Sequence, residues 1–69
     1  MEFTIYQAIA FLNKFENADR EFKRVNDEKF KLFKGSYGDL MYELDGLVRP
    51  LPIFNYLQDK WILVEKENK

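Results

Sequence analysis

The chain has 69 residues, of which 46% are hydrophobic and 17% aromatic, with a formal net charge of −1 and neither Cys nor His. This length fits one small domain, and the residues that are missing argue against disulfides, zinc or haem sites and the usual catalytic bases and nucleophiles. No apolar run approaches the roughly 18 residues that span a bilayer, and the N-terminus lacks a signal-peptide pattern. We therefore expect a cytoplasmic protein with no cofactor, no metal and no membrane contact.

The first predicted element is an amphipathic helix. Thr4 is a favoured N-cap residue, and Gln7 follows three positions later, which is the spacing of a capping box. Apolar residues then recur at helical spacing, namely at Ile5, Ala8, Ile9 and Leu12. Phe11 and Phe15 form a second i, i+4 pair that widens this stripe, and we expect the helix to end near residue 17 or 18.

Short antiparallel strands joined by turns are predicted after the helix. Arg20–Val25 and Lys29–Lys34 alternate in polarity, and the residues between them, Asn26-Asp27-Glu28, favour a turn. A third strand, Leu40–Leu44, ends at Asp45-Gly46. This dipeptide tolerates the positive φ angles of a type I′ turn and indicates a hairpin.

The end of the chain predicts two further strands. Leu47–Leu51 returns from the Asp45-Gly46 turn, and because Pro50 has no amide to donate, this strand must lie at a sheet edge or end at Pro50. Pro52 favours a short helical turn, and Lys60–Glu65 forms the last strand.

These elements predict a single α+β domain over residues 1–65, followed by a frayed polar tail at 66–69. An N-terminal amphipathic helix packs on a small antiparallel sheet of four to five strands. The edges of so small a sheet invite pairing with a second copy, so we expect a homo-oligomer.

Charge is concentrated in one predicted hairpin. Residues 20–34 carry six basic and three acidic side chains, interleaved with phenylalanines. Such a segment can contact phosphates and stack on bases, or its lysines can simply protect an exposed strand from aggregation. Nucleic acid is the least favoured partner because the whole chain is slightly acidic.

Binding is better supported than catalysis. Asp39 and Glu43 share a strand face, but a solvated strand edge explains them, and we predict no catalytic residue and no enzyme activity.

Arg24 lies on the predicted core face with Phe22, so it requires a carboxylate or an anionic ligand as partner. Arg49, just before Pro50, is the second candidate for ligand binding.

A family resemblance is carried by Phe22-Lys23-Arg24, by Lys29-Phe30-Lys31-Leu32 and by the closing segment 56–65, with Trp61 after Asp59. In order and spacing these resemble the short bacteriophage proteins of the Thoeris anti-defence 2 type. That resemblance implies an oligomer that sequesters a cyclic nucleotide in the host cytoplasm to counter host defence. It implies that Arg24 contacts a phosphate and that Trp61 stacks on a base or packs in the core. The Trp-Gly-type segment of that family is replaced here by residues 25–28.

Two functions remain open at this stage. The first is a non-enzymatic phage or prophage binding protein for a small anionic ligand, with Arg24, Arg49, Tyr37 and Trp61 as its ligand-binding residues. The alternative is a protein–protein interaction module that inhibits a host protein through exposed aromatic side chains such as Phe33 and Tyr37.

Overall fold

The architecture is one helix on one face of an antiparallel sheet. A computed structural model describes residues 1–65, so the predicted tail at 66–69 lies outside the described residues. The helix is α1 (Ile5–Leu12), and the strands are β1 (Phe3–Thr4), β2 (Glu21–Arg24), β3 (Asp27–Lys34), β4 (Leu40–Leu44), β5 (Leu47–Pro50) and β6 (Lys60–Leu63). Their order in the sheet is β1-β6-β2-β3-β4-β5. The predicted α+β class is confirmed, with six strands where four to five were expected.

The start of α1 agrees with the prediction from the sequence, but its end does not. The Gln7 amide donates to Thr4 Oγ1 at 3.1 Å, and the Thr4 amide donates to Gln7 Oε1 at 2.9 Å, so the capping box is confirmed. The predicted end near residue 17 or 18 is wrong, because α1 ends at Leu12. The Phe11 carbonyl accepts from the Asn17 side chain at 3.1 Å, which satisfies a carbonyl that a longer helix would pair internally.

Phe15 shows the consequence of that early end. It begins a 3-10 turn, Phe15–Asn17, and its side chain is 95% exposed. The expectation that Phe15 widens the buried stripe is therefore wrong.

The additional strand comes from the two residues that precede the helix. Phe3 pairs with Trp61 and Thr4 with Lys60, so β1 adds to the outer edge of β6. Two residues are too few to give a polarity pattern, and their partners lie more than fifty residues away in the chain. The strand predicted over 60–65 is also shorter, since β6 ends at Leu63.

The predictions made from turn residues and prolines in the second half of the sheet are confirmed. Asp45 and Gly46 have φ angles of 53° and 81°, as a type I′ turn requires. Pro50 ends β5, which is an edge strand. Pro52 precedes a 3-10 turn at Ile53–Tyr56, as predicted.

The core lies between α1 and one face of the sheet. Its fully or nearly fully buried side chains come from both layers: Ile5, Ala8, Leu12, Phe22, Phe30, Leu32, Leu51 and Trp61. No helix in residues 1–65 has the length and apolar character needed to cross a membrane. The helix covers only one side of the sheet.

Candidate functional site

Arg24 is held inside the protein by a carboxylate and two aromatic rings. Its Nη2 donates to Asp59 Oδ1 at 3.1 Å, and its guanidinium carbon lies 5.4 Å from the ring centroids of both Phe30 and Tyr56. Its side chain is 33% exposed and that of Asp59 is 25% exposed. The requirement for a partner is thus met within the chain by a carboxylate.

A local irregularity of the β2–β3 hairpin builds this cluster. Lys23 pairs with Lys31, yet the next residue, Arg24, pairs with Asp27, so three residues of β3 have no partner in β2. Phe30 is one of the three and turns into the core, where it is 2% exposed. The chain turns at Val25-Asn26, with Asn26 at a φ of 69°, earlier than predicted.

Trp61 is a core residue in this structure. It is 0% exposed, and its ring lies 5.6 Å from that of Phe30 and 6.3 Å from that of Tyr56. The indole N–H has no hydrogen-bond acceptor within residues 1–65. A base could stack on this ring only if the core opened, so the position of Trp61 matches the packing alternative.

The other two predicted ligand residues lie elsewhere on the surface. Arg49 is exposed on β5, in register with Tyr42. Tyr37 is 98% exposed in the loop between β3 and β4. Arg24 and Trp61 are neighbours in register across β2 and β6. The structure therefore brings together two of the four predicted residues, with Trp61 buried in the core and Arg24 half-buried beside it.

The basic hairpin is partly neutralised by contacts of its own. Lys23 Nζ lies 3.5 Å from Glu28, and Arg24 pairs with Asp59. Arg20 donates to the Val64 carbonyl at 3.1 Å and lies over the Phe11 ring. Half of the six basic side chains thus have internal partners, which weakens the field that a phosphate would meet.

The uncovered side of the sheet is the largest feature that the sequence did not single out. Because side chains alternate across a strand, the neighbours of the buried residues point away from α1. We call this surface the open face, and define it by the strand residues that form it: Glu21, Lys23, Lys31, Phe33, Met41, Glu43, Val48, Pro50 and Ile62. Two lysines and two glutamates are among these nine residues.

An apolar region occupies the β3–β5 end of the open face. A surface cavity of about 240 Å³ is lined there by Phe33, Met41 and Val48, together with Tyr37 and other residues of the β3–β4 loop. Val48 is 52% exposed, and Phe33 and Met41 are half-buried. An exposed aromatic side chain beside an apolar cavity is typical of protein contact surfaces. The apolar residues at Met41 and Val48, on the non-core positions of their strands, are the signal that could have revealed this region.

Metal chemistry has no cluster to support it in the described part of the chain. Within residues 1–65, no group of three or more His, Cys, Asp or Glu side chains could hold a metal ion. The arrangement offers surfaces for binding, with an aromatic and apolar region as its most distinctive part.

Comparison with known proteins finds no matching family model, no matching curated protein and no matching solved structure. The resemblance to the anti-defence proteins thus stays a prediction.

Proposed function

We propose that this protein is a small non-enzymatic binding protein that acts through protein–protein contact at the open face. The observation that carries the proposal is the apolar region around Phe33, Met41 and Val48, with Tyr37, 98% exposed, at its rim. Burying an aromatic side chain of this kind removes roughly 150–250 Å² from water. A partner that covers the region therefore gains free energy that the isolated chain does not.

The composition of the chain supports a role in binding. With no His and no Cys, the groups that most often act as bases or nucleophiles near neutral pH are missing. Exposed aromatic side chains and an uncovered sheet face are instead the features that protein-binding modules use. Inhibition of a host protein is the form of this function that we favour, and the host cytoplasm is its expected location.

A photo-crosslinking experiment tests the proposal with a matched control. Benzoylphenylalanine is placed at position 37 or at position 15, because Tyr37 and Phe15 are 98% and 95% exposed. The protein is irradiated in cells that carry its gene. We expect a discrete covalent adduct from position 37, lost in the Phe33→Asp variant, and none of that mass from position 15. Identical adducts from both positions, or none from position 37, would contradict the proposal.

A small anionic ligand remains a second candidate, and Arg49 is the observation that favours it. Arg49 is exposed and takes part in no ion pair within residues 1–65. Native mass spectrometry with a panel of cyclic nucleotides at micromolar concentration tests this function. We expect a bound nucleotide to be lost in Arg49→Ala. If no nucleotide binds to the native protein, this candidate is excluded.

A further inference from the structure

Two strands of the open face, β3 and β4, are self-complementary about one particular two-fold axis. Its residues form two rows across the sheet. In the first row Lys31 lies in register with Glu43, and in the second Phe33 lies in register with Met41. Within residues 1–65 neither Lys31 nor Glu43 takes part in an ion pair, so both charges are available to a partner.

In the arrangement that gives this match, two copies pack with their open faces together. The two-fold axis is parallel to the strands and lies above the boundary between β3 and β4. This rotation places β4 of each copy over β3 of the other and keeps each row at its own height. Lys31 then faces Glu43 of the second copy, and Phe33 faces Met41 of the second copy. Each contact occurs twice, as an isologous interface requires.

Other axes do not give this match. An axis above the boundary between β2 and β3 places Lys23 over Lys31 of the second copy, because these two are in register, and like charges then meet. An axis perpendicular to the strands exchanges the rows and sets the charged pair against Phe33 and Met41. At the flanks, the axis between β3 and β4 sets Lys23 and Glu21 over Val48 and Pro50 of the second copy. In the two central strands it is the one of these three axes that pairs opposite charges, and charge complementarity there selects it.

Tyr37 provides a second, independent reason for this axis. Its loop joins β3 to β4 and therefore lies beside the axis, where the loops of the two copies meet. The cavity of about 240 Å³ next to Tyr37 is lined by Phe33, Met41 and Val48 of the same copy. Across the axis, the exposed tyrosine of each copy is brought beside the cavity of the other.

The free edge of β5 is a poorer site for a second copy. Leu44 and Leu47 flank a two-residue turn and are a hydrogen-bonded pair, so Val48 and Pro50 occupy the positions whose backbone groups point outward. Pro50 has no amide, which leaves Val48 as the one outward N–H donor of β5. A strand of a second copy that adds to this edge would find a single backbone N–H donor, whereas face-to-face packing of the sheets needs no backbone donor.

We infer that this protein forms a two-fold dimer through its open face, with Lys31 against Glu43, Phe33 against Met41, and Tyr37 beside the cavity of the second copy. This inference rests on the proposed function, from which it takes protein–protein contact at the open face, and it names a second copy of the chain, in place of a host protein, as the partner that covers this face. From strand spacing, a patch four strands wide and five residues long measures roughly 15 Å by 17 Å. That is roughly 250 Å² of sheet per copy, which is well below the area of a standard interface, so we expect a weak dimer that dissociates on dilution.

Charge reversal tests the predicted register. Glu43→Lys sets lysine against lysine in its own dimer, and Lys31→Glu sets glutamate against glutamate. We expect each variant alone to self-associate at least ten-fold more weakly than the native chain in sedimentation equilibrium. An equimolar mixture restores both opposite-charge contacts. Native mass spectrometry should therefore show the heterodimer in excess of either homodimer.

Two further variants separate the interface from stability. Tyr37→Ala should weaken self-association about ten-fold, whereas Phe15→Ser, at an equally exposed aromatic residue outside the sheet, should leave it unchanged. Urea unfolding followed by Trp61 fluorescence verifies that every variant is folded.

The outcomes distinguish this inference from the proposed function. A native protein that stays monomeric across a hundred-fold concentration range overturns the inference. So does a dimer whose strength is indifferent to the reversals at Lys31 and Glu43. If the monomer still forms a Phe33-dependent adduct with another protein, the proposed function stands without the dimer. If it forms neither, both fail.

Discussion

Replacing Arg24 by methionine tests whether its guanidinium holds the fold together or is available to a ligand. Arg24→Met keeps most of the length and apolar stem of the side chain and removes the charge. It deletes the 3.1 Å contact with Asp59 and both ring contacts at 5.4 Å, and it leaves Asp59, 25% exposed, without its cation.

The expected cost follows from these contacts. A charge-assisted hydrogen bond at a site about one-third exposed contributes roughly 1 kcal/mol after screening by solvent. Each cation–π contact adds about 0.5 kcal/mol. The sum is about 2 kcal/mol, a large share of the roughly 3–10 kcal/mol expected for a domain of this size. With a urea m-value of about 1 kcal/mol/M, the unfolding midpoint falls by about 2 M.

Equilibrium urea unfolding provides the assay, because Trp61 is the one tryptophan of the chain and is 0% exposed. A double-mutant cycle with Asp59→Asn isolates the ion pair, and we expect a coupling free energy of about 1 kcal/mol. The matched control is the cycle of Lys23→Met with Glu28→Gln. Its side chains are 35% and 82% exposed, so its coupling should not exceed about 0.5 kcal/mol. If Arg24→Met unfolds within 0.5 kcal/mol of the native protein, Arg24 is not a structural cation, and its assignment to a ligand regains support.

Three further substitutions examine other parts of the fold. Thr4→Ala removes one half of the capping box and should lower stability by about 1 kcal/mol, seen as a melting temperature about 4–8 °C lower by circular dichroism; an unchanged melting temperature would mean that the cap is not formed in solution. Gly46→Ala should cost about 1 kcal/mol through its φ of 81° alone, since an added Cβ meets no atom of residues 1–65 within 4 Å, and a stabilised variant would contradict the type I′ turn. Trp61→Ala should cost about 3–5 kcal/mol, whereas Trp61→Phe should cost less, because it keeps an aromatic ring and removes an indole N–H that has no acceptor in the described part of the chain. Equal losses for these two Trp61 variants, measured by circular dichroism, would contradict the packing of an aromatic ring as the main contribution of Trp61.

Arg24 illustrates how far sequence reasoning reached at the candidate site. The alternation of side chains along β2 places Arg24 on the core face beside Phe22. A cation on that face needs a partner, and this need was predicted. The identity of the partner did not follow, because Asp59 lies 35 residues away and reaches Arg24 only when β6 pairs with β2. The open face was not predicted from the sequence for a similar reason, because Met41 and Val48 become neighbours of Phe33 only in the assembled sheet.

Length, composition and local spacing by themselves determined a small cysteine-free α+β domain, the capping box at Thr4, the type I′ turn at Asp45-Gly46 and the edge position of Pro50. Each of these features depends on residues within a few positions of one another or on the chemistry of a single residue. Only the tertiary structure decided the insertion of β6 between β1 and β2, the early end of α1 and the side of the sheet that α1 leaves uncovered. These depend on pairing and packing between distant segments, for which an isolated stretch of sequence carries no periodic signal.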